Sequence, residues 1–425
     1  MRRRTMLAGA VSAALAPLLT GCGALDPGDD DPDTLVVHSN ITAGSAGAAA
    51  YGTIREAFES AHPGSRIKDV VSGGTDLINV YETARLAHKE ADVVLVNLAE
   101  KSLAWTELGA TVPVGRYMDR WGLTDRVLPQ ALREWTDAEG RVSGFPWTGF
   151  AWPVAYNTAL LEAAGIGDVP HTADDLVAAA DAVRAKGLDG LVSIGGNDWS
   201  GQKLLMQVMQ CFLPPDRAEA LFTRAGFADD EDALRGLAHF AELRDAGVFR
   251  DGAQGLNADS MNTDFYTGRA PVASMISGSL AAVPAEVADV TVLGGWPQPG
   301  GGVHDRPTAL RGYTSTGIWV SPNGRKKIGL VEKFVRHLYS EESAGTYLRR
   351  AGQVMALRGT GDSPDFPLVS ASAALTDDDV SWAVMPDLFV PAAVSQPLIR
   401  ATSVAFTPGT GAEAIARALD TAYRS

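Results

Sequence analysis

Between Thr34 and Asn97 the chain switches between short apolar runs and helical patterns, and this alternation restricts the fold more than any other feature. Thr34-Leu35-Val36-Val37-His38 reads as a strand that ends in a polar, small-residue loop, Ser39 to Ser45. A helix follows with Tyr51, Ile54, Ala57 and Phe58 on one face, closed by His62-Pro63-Gly64. Arg66 to Val71 is the next strand and ends at Gly73-Gly74. Thr75 to His88 reads as a helix with Leu77, Val80, Tyr81, Ala84 and Leu86 as its apolar positions. Asp92 to Asn97 is a third strand, continuously apolar in its middle, as a strand covered on both faces must be. Such a βαβαβ unit implies a parallel sheet whose ligand-facing loops lie at the strands' carboxyl ends.

The alternation is then interrupted. Arg141 to Asn157 is rich in aromatics, Gly and Pro and is strand-like at both ends. A second α/β run opens with the capping pattern Thr172-Ala173-Asp174-Asp175, and Gly190 to Ile194 is a strand ending in Gly195-Gly196-Asn197-Asp198-Trp199. Helices are expected at 200–212, 232–246 and 260–267, and strands at 271–276, 290–293 and 314–321. One amphipathic helix is expected from Arg325 to Tyr339.

Upstream of the first strand, Arg2, Arg3 and Arg4 precede the apolar stretch Met6 to Leu19, which is shorter than the ~20 residues a spanning helix needs. The stretch ends in Leu19-Thr20-Gly21-Cys22, which matches the bacterial lipoprotein box; in lipoproteins the cut falls before the Cys, which then carries lipid. Residues 1–21 are thus expected to be a signal peptide, Cys22 a lipid anchor, and 22–33 a Pro- and Asp-rich tether. Arg3-Arg4-Thr5-Met6-Leu7 also resembles a twin-arginine export motif, so either general secretion or that route is open. Loss of 1–21 would leave 33 basic against 51 acidic residues, a net −18 compared with −15 for the whole chain. That acidity excludes a protein that grips nucleic acid through a basic face. Two cysteines make no disulfide scaffold, and Cys211, within the apolar run Leu204 to Phe212, is expected to be an inert core thiol.

Enzyme signatures are missing. The sequence holds no G-x-S-x-G, P-loop, G-x-G-x-x-G or H-E-x-x-H motif, and its seven His have no metal-like spacing. No cofactor or metal is expected. What the chain does have is aromatic and polar residues at strand-to-loop junctions: Trp147 and Trp152, Asn197-Asp198-Trp199, Trp296 after Gly294-Gly295, and Tyr313. Aromatic faces suit the C–H faces of sugar rings, while Asp, Asn and Ser pair with hydroxyls.

In this setting the chain resembles an extracellular solute-binding protein of an ABC importer, in the group that includes sugar-binding proteins. The resemblance covers Leu35 to Tyr423. It rests on Ala48–Pro63, Ala91–Asn97, Gly144-Phe145-Pro146 leading to Val154-Ala155-Tyr156-Asn157, Phe265 to Ala273, and Gly312 to Ser340. It implies an α/β, type II-like two-lobed periplasmic-binding-protein fold, with lobe one at 34–148 and 305–343, lobe two at 151–302 and 344–425, and a ligand cleft between them. It implies hinge closure on a small solute, a carbohydrate in the first place, and delivery to a membrane permease by a monomer anchored at the outer face of the cell membrane. Carried over residue by residue, the cleft positions are Ser39, Asn40, Gly73, Thr75, Asn97, Trp147, Trp152, Asn197, Asp198 and Trp199, with Trp296 and Tyr313 as further candidates. Relatives often have Gly followed by an aromatic where this chain has Ser277-Gly278-Ser279-Leu280, so a long stacking platform is not expected. The competing readings are a binding protein for a non-sugar solute, a structural surface lipoprotein and a secreted glycoside hydrolase. The last would need a carboxylate pair across the cleft, for which Asp198 and Glu100 are the acids to test.

Overall fold

Ten strands form two sheets in the computed structural model, which describes residues 31–97 and 104–424. The strands are β1 Thr34–Ser39, β2 Arg66–Val71, β3 Val93–Val96, β4 Phe145–Trp152, β5 Val154–Asn157, β6 Val192–Ser193, β7 Val272–Ser274, β8 Thr291–Gly294, β9 Thr308–Val320 and β10 Ser381–Trp382. The first sheet has the order β10-β9-β3-β1-β2, with β4 also paired to β9; the second has the order β6-β7-β5-β8. Residues 1–30, and with them Cys22, lie outside the described residues.

The βαβαβ reading holds. β1 pairs in parallel with β2 and with β3, and the helices Ala46–Ala61 and Gly74–Leu86 form the crossovers. Alternation along the strands divides the core between the two faces. Leu35, Val37, Val93 and Leu95 pack with Ile54 and Phe58, whereas Val94 and Val96 pack with Leu77, Tyr81, Trp105, Trp135 and Trp319. Leu86, expected on the buried face, is the last residue of its helix and stands 85% exposed. The helix Ala173–Ala185 opens with the expected box: Asp175 N–H donates to Thr172 Oγ1, and Thr172 N–H donates to Asp175 Oδ2.

β9 is 13 residues long where only its second half was expected. Its second half pairs with β3, and nearly its whole length runs antiparallel to β4, from Phe145↔Ile318 to Trp152↔Leu310, with two bulges. Two glycines allow this ribbon to close against its neighbours. A Cβ on Gly317 would lie 1.9 Å from the Trp135 ring, and one on Gly312 would lie 2.7 Å from the Phe150 ring. The strand-like stretch before Asn157 is broken by Pro153, which has no N–H to pair and whose carbonyl accepts from Met275 N–H. β5 then runs on into the second sheet, antiparallel to β7 and β8.

The helix expected from Arg325 to Tyr339 is two, Pro322–Lys326 and Ile328–Leu338. Lys327 leaves helical geometry (φ −107°, ψ 32°), and its ammonium reaches Thr34 O at 2.8 Å and Asp92 Oδ2 at 3.0 Å. The next helix, Glu341–Ala351, spans the boundary expected at 343/344. It packs on the first-sheet side: Tyr347 lies against Trp147, and Arg350 donates to Thr53. Cys211 is buried without a disulfide partner, and burial pushes its thiol up to about 12, which keeps it protonated.

Candidate functional site

β4 and β9 are both antiparallel to each other and β3 is antiparallel to β9, so β4 runs with β3 and continues past its carboxyl end. After Pro153, β5 leads away, so the carboxyl ends of its antiparallel neighbour β7 and of β6, parallel to β7, return to the Pro153 end. The loops after β1, β2 and β3 therefore face the loops after β6 and β7 across the β4/β9 ribbon. In α/β sheets that arrangement marks the place for a ligand.

On the first-sheet side, Ser39 ends β1 and is buried, and Asn40 is half-buried. Ser72 N–H donates to Ser39 O, and Ser72 Oγ meets His38 Nε2 at 2.9 Å, which locks the first two loop starts together. Gly73 is the exposed N-cap of the helix Gly74–Leu86, and Thr75 lies in that helix's first turn. Asn97, half-buried, follows β3. These five positions share one end of the sheet.

On the other side, Asn197 is exposed and its N–H donates to Leu256 O. Asp198 caps the helix Trp199–Met209. Its Oδ1 accepts from Ser200 N–H and Oγ–H, and its Oδ2 accepts from Ala258 N–H at 2.7 Å. Both oxygens are therefore occupied in holding two helix starts together, which leaves Asp198 poorly placed as an acid or base; Glu100 lies outside the described residues.

The junction tryptophans separate into two kinds. Trp199 is 38% exposed and meets the buried Trp152 edge-on at 5.2 Å, and Trp152 in turn lies edge-on to Phe150. With Leu310, Ala383, Met385 and partly buried Ile276 and Leu388, Phe150 and Trp152 form a separate apolar cluster beside the ribbon. Trp147 and Trp296, by contrast, are fully buried, with their rings taken up by Tyr347 and by Phe249 respectively. Neither presents a face to a solute in this conformation, because each fills a core layer behind the ribbon. Tyr313 is also buried and lies over Gly149, where a Cβ would come within 2.5 Å of its ring. The structure thus brings Trp152 and Trp199 together and puts Trp147, Trp296 and Tyr313 to use in packing.

Several polar groups at this junction were not among the sequence candidates. Lys203, with 4% of its side chain exposed, pairs with Asp387 at 2.6 Å and with Gln202 Oε1 at 3.0 Å. A cavity of about 420 Å³ lies alongside, lined among others by Glu134, Glu219, Arg311, Trp382 and Met385. The Arg311 guanidinium sits 3.8 Å over the Trp382 ring and donates to Leu375 O. Glu134 Oε2 accepts the Tyr313 N–H at 2.6 Å, and burial pushes its carboxyl up to about 7. Apart from Lys203 with its neighbour Gln202, these pairings join residues far apart in sequence, so no local pattern signals them. Among the described residues no group of His, Cys, Asp and Glu could hold a metal ion.

The sequence profile of the bacterial extracellular solute-binding proteins matches residues 42–345. The chain belongs to that family. Among solved structures it is similar to a probable secreted solute-binding lipoprotein from Streptomyces coelicolor, at 51% identity and a TM-score of 0.87, with 93% of this chain and 100% of that one covered. It shares its fold with a chitin oligosaccharide binding protein (22% identity, TM-score 0.72, 92% and 99% covered). Maltose-bound MalE3 of T. maritima is similar to the same degree in fold (16% identity, TM-score 0.72, 92% and 99% covered). No curated protein sequence matches the chain. The two-lobed α/β solute-binding fold is therefore the architecture of this protein, and it is that of a solute receptor of the ABC-importer type.

Proposed function

We propose that this solute receptor takes a small carbohydrate, closes about the β4/β9 ribbon to enclose it, and hands it to a membrane permease while held at the outer face of the cell membrane by lipid on Cys22. The observation that carries the sugar reading is Trp199. Of nine tryptophans it alone is more than a third exposed, and it stands beside Trp152 where the loops of the two sheets face each other. An exposed indole face against C–H groups, with Asn197, Asn40 and Asn97 nearby in the facing loops for hydroxyls, is the chemistry a sugar ring needs. Relatives named for chitin oligosaccharide and for bound maltose support the same class. Lobe one would comprise 34–148 and 305–351. It extends past 343 because the helix Glu341–Ala351 packs beside Trp147 and Thr53. Lobe two would comprise 151–302 and the chain beyond the last crossing.

A thermal-shift screen with mono- and oligosaccharides tests this. A true ligand at about 100 times its Kd should add about 2.7 kcal/mol of stability. Trp199→Ala should then weaken that sugar about tenfold with the fold intact, since an aromatic contact contributes about 1 kcal/mol beyond its buried area. Stabilisation by amino acids or phosphodiesters and by no sugar, or undiminished sugar binding by W199A, rejects the carbohydrate reading.

A further inference from the structure

We propose that the end of the first sheet opposite the solute-facing loops is a docking face for anionic phospholipid, centred on a pocket that nothing in solute capture uses. The pocket has a volume of about 630 Å³ and is lined by four arginines, Arg85, Arg116, Arg141 and Arg325, and by no Asp or Glu. In a chain of net −15, four guanidinium groups stand around one depression; carboxylates next to the pocket offset two of them, so its uncompensated positive charge is that of the other two.

Two of the four are free to act. Arg141 is held by Asp137 at 2.7 Å and Glu139 at 3.0 Å, and Arg85 lies 4.0 Å from buried Glu90 while donating to Gly109 O. Arg116 and Arg325 are exposed and have no carboxylate partner among the described residues; Arg116 stacks on Tyr117 at 4.6 Å and donates to its hydroxyl. A guanidinium presents its N–H donors as a fork that matches two oxygens of a phosphodiester, so unpaired arginines beside a polar hollow suit a phosphate headgroup better than a carbohydrate.

The location selects a lipid surface as the source of that phosphate. Arg325 belongs to the short helix Pro322–Lys326 that follows β9, and β9 ends where β3 begins. In the same helix Asn323 donates to His88 O and Glu90 O, both at 3.2 Å, beside the Arg85 end of the pocket. Lys327, directly after it, donates to Thr34 O, the first residue of β1. The pocket and the point where the N-terminal segment enters the fold therefore share one end of the sheet. If that segment leads to a lipid anchor, as proposed above, the basic pocket is held within its reach of the bilayer, and the rest of the acidic surface is repelled from it.

Co-sedimentation with vesicles tests the proposal independently of the anchor. Residues 23–425 contain every described element and lack Cys22, so any binding comes from the folded chain. At low ionic strength this protein should sediment with vesicles of mixed phosphatidylglycerol and phosphatidylcholine and not with phosphatidylcholine alone. Each arginine near an anionic surface changes the partition constant about fivefold, so Arg116→Gln with Arg325→Gln should lower it about 25-fold. The remote Arg417→Gln should leave it unchanged. An unaltered melting temperature in the double variant guards against misfolding. The proposal is overturned by equal sedimentation of the double variant and the parent, by an equal loss in R417Q, or by binding of inorganic phosphate at the pocket with no vesicle binding, which would make it a site for a free anion. The anchor itself is read separately from the mass of the N-terminal peptide of membrane-extracted protein: an unmodified Cys22 would sink that reading and leave the vesicle result standing.

Discussion

Glu134→Gln isolates one buried carboxyl at the ribbon. Glu134 ends the helix Pro129–Glu134, accepts from Tyr313 N–H through Oε2 and from Gln130 Nε2 through its other oxygen, and lines the cavity beside Arg311 and Trp382. Burial dominates its ionisation and moves it from 4.5 to about 7, against the smaller opposing effect of its hydrogen bonds and Arg133. Because the folded-state value lies above the unfolded one, the native state holds the proton more tightly. The stability this contributes is full below about pH 4.5 and is lost as pH rises through about 7. Full expression of that displacement is about 3 kcal/mol. Gln keeps an acceptor for the Tyr313 N–H and carries no charge. E134Q should therefore match the parent at about pH 4.5 and exceed it by about 2–3 kcal/mol at about pH 8.5. Urea titrations at the two pH values measure both differences. If E134Q and the parent lose stability in parallel as pH rises, or if E134Q is the weaker protein at the higher pH, burial is not what sets this carboxyl's ionisation.

Asp387→Ala should cost about 3 kcal/mol in urea unfolding, because it strands the Lys203 ammonium inside with only Gln202 as partner. Lys203→Met in the D387A background should recover most of that loss; a double variant as weak as D387A would show that the charge is not the cause. His38, beside Ser72, is held neutral by burial, which lowers it to about 4. A depressed value means its contribution is present above about pH 6.5 and is lost as pH falls towards about 4. His38→Gln should accordingly flatten the acid limb of a melting-temperature profile by an amount equivalent to about 3 kcal/mol, and an unchanged limb refutes the assignment.

The legible part of this protein is the part written in neighbours. A strand repeats every two residues and a helix every 3.6, so β1 to β3, their two crossover helices and the Thr172 cap can be read from a few adjacent side chains. The family resemblance and the loop positions Ser39, Asn40, Gly73, Thr75 and Asn97 follow from that order, because parallel strands place their carboxyl ends together. The inert thiol of Cys211 was legible for the same reason, within a continuous apolar run.

The rest was decided by contacts between distant segments. Trp147 and Trp152 are both aromatics in one strand, yet Tyr347 covers the first, while the second lies against Trp199 at the junction. The full length of β9 depends on β4 lying beside it, and the side taken by the helix Glu341–Ala351 depends on Trp147 and Thr53. Glu134 with Tyr313, and Lys203 with Asp387, join residues 179 and 184 positions apart. Burial and pairing of that kind are properties of surfaces brought together by folding. By itself the sequence determined the first three strands, their crossover helices and the family they compose; the reach of β9, which aromatic faces remain open, and which charges are buried in pairs, only the tertiary packing could decide.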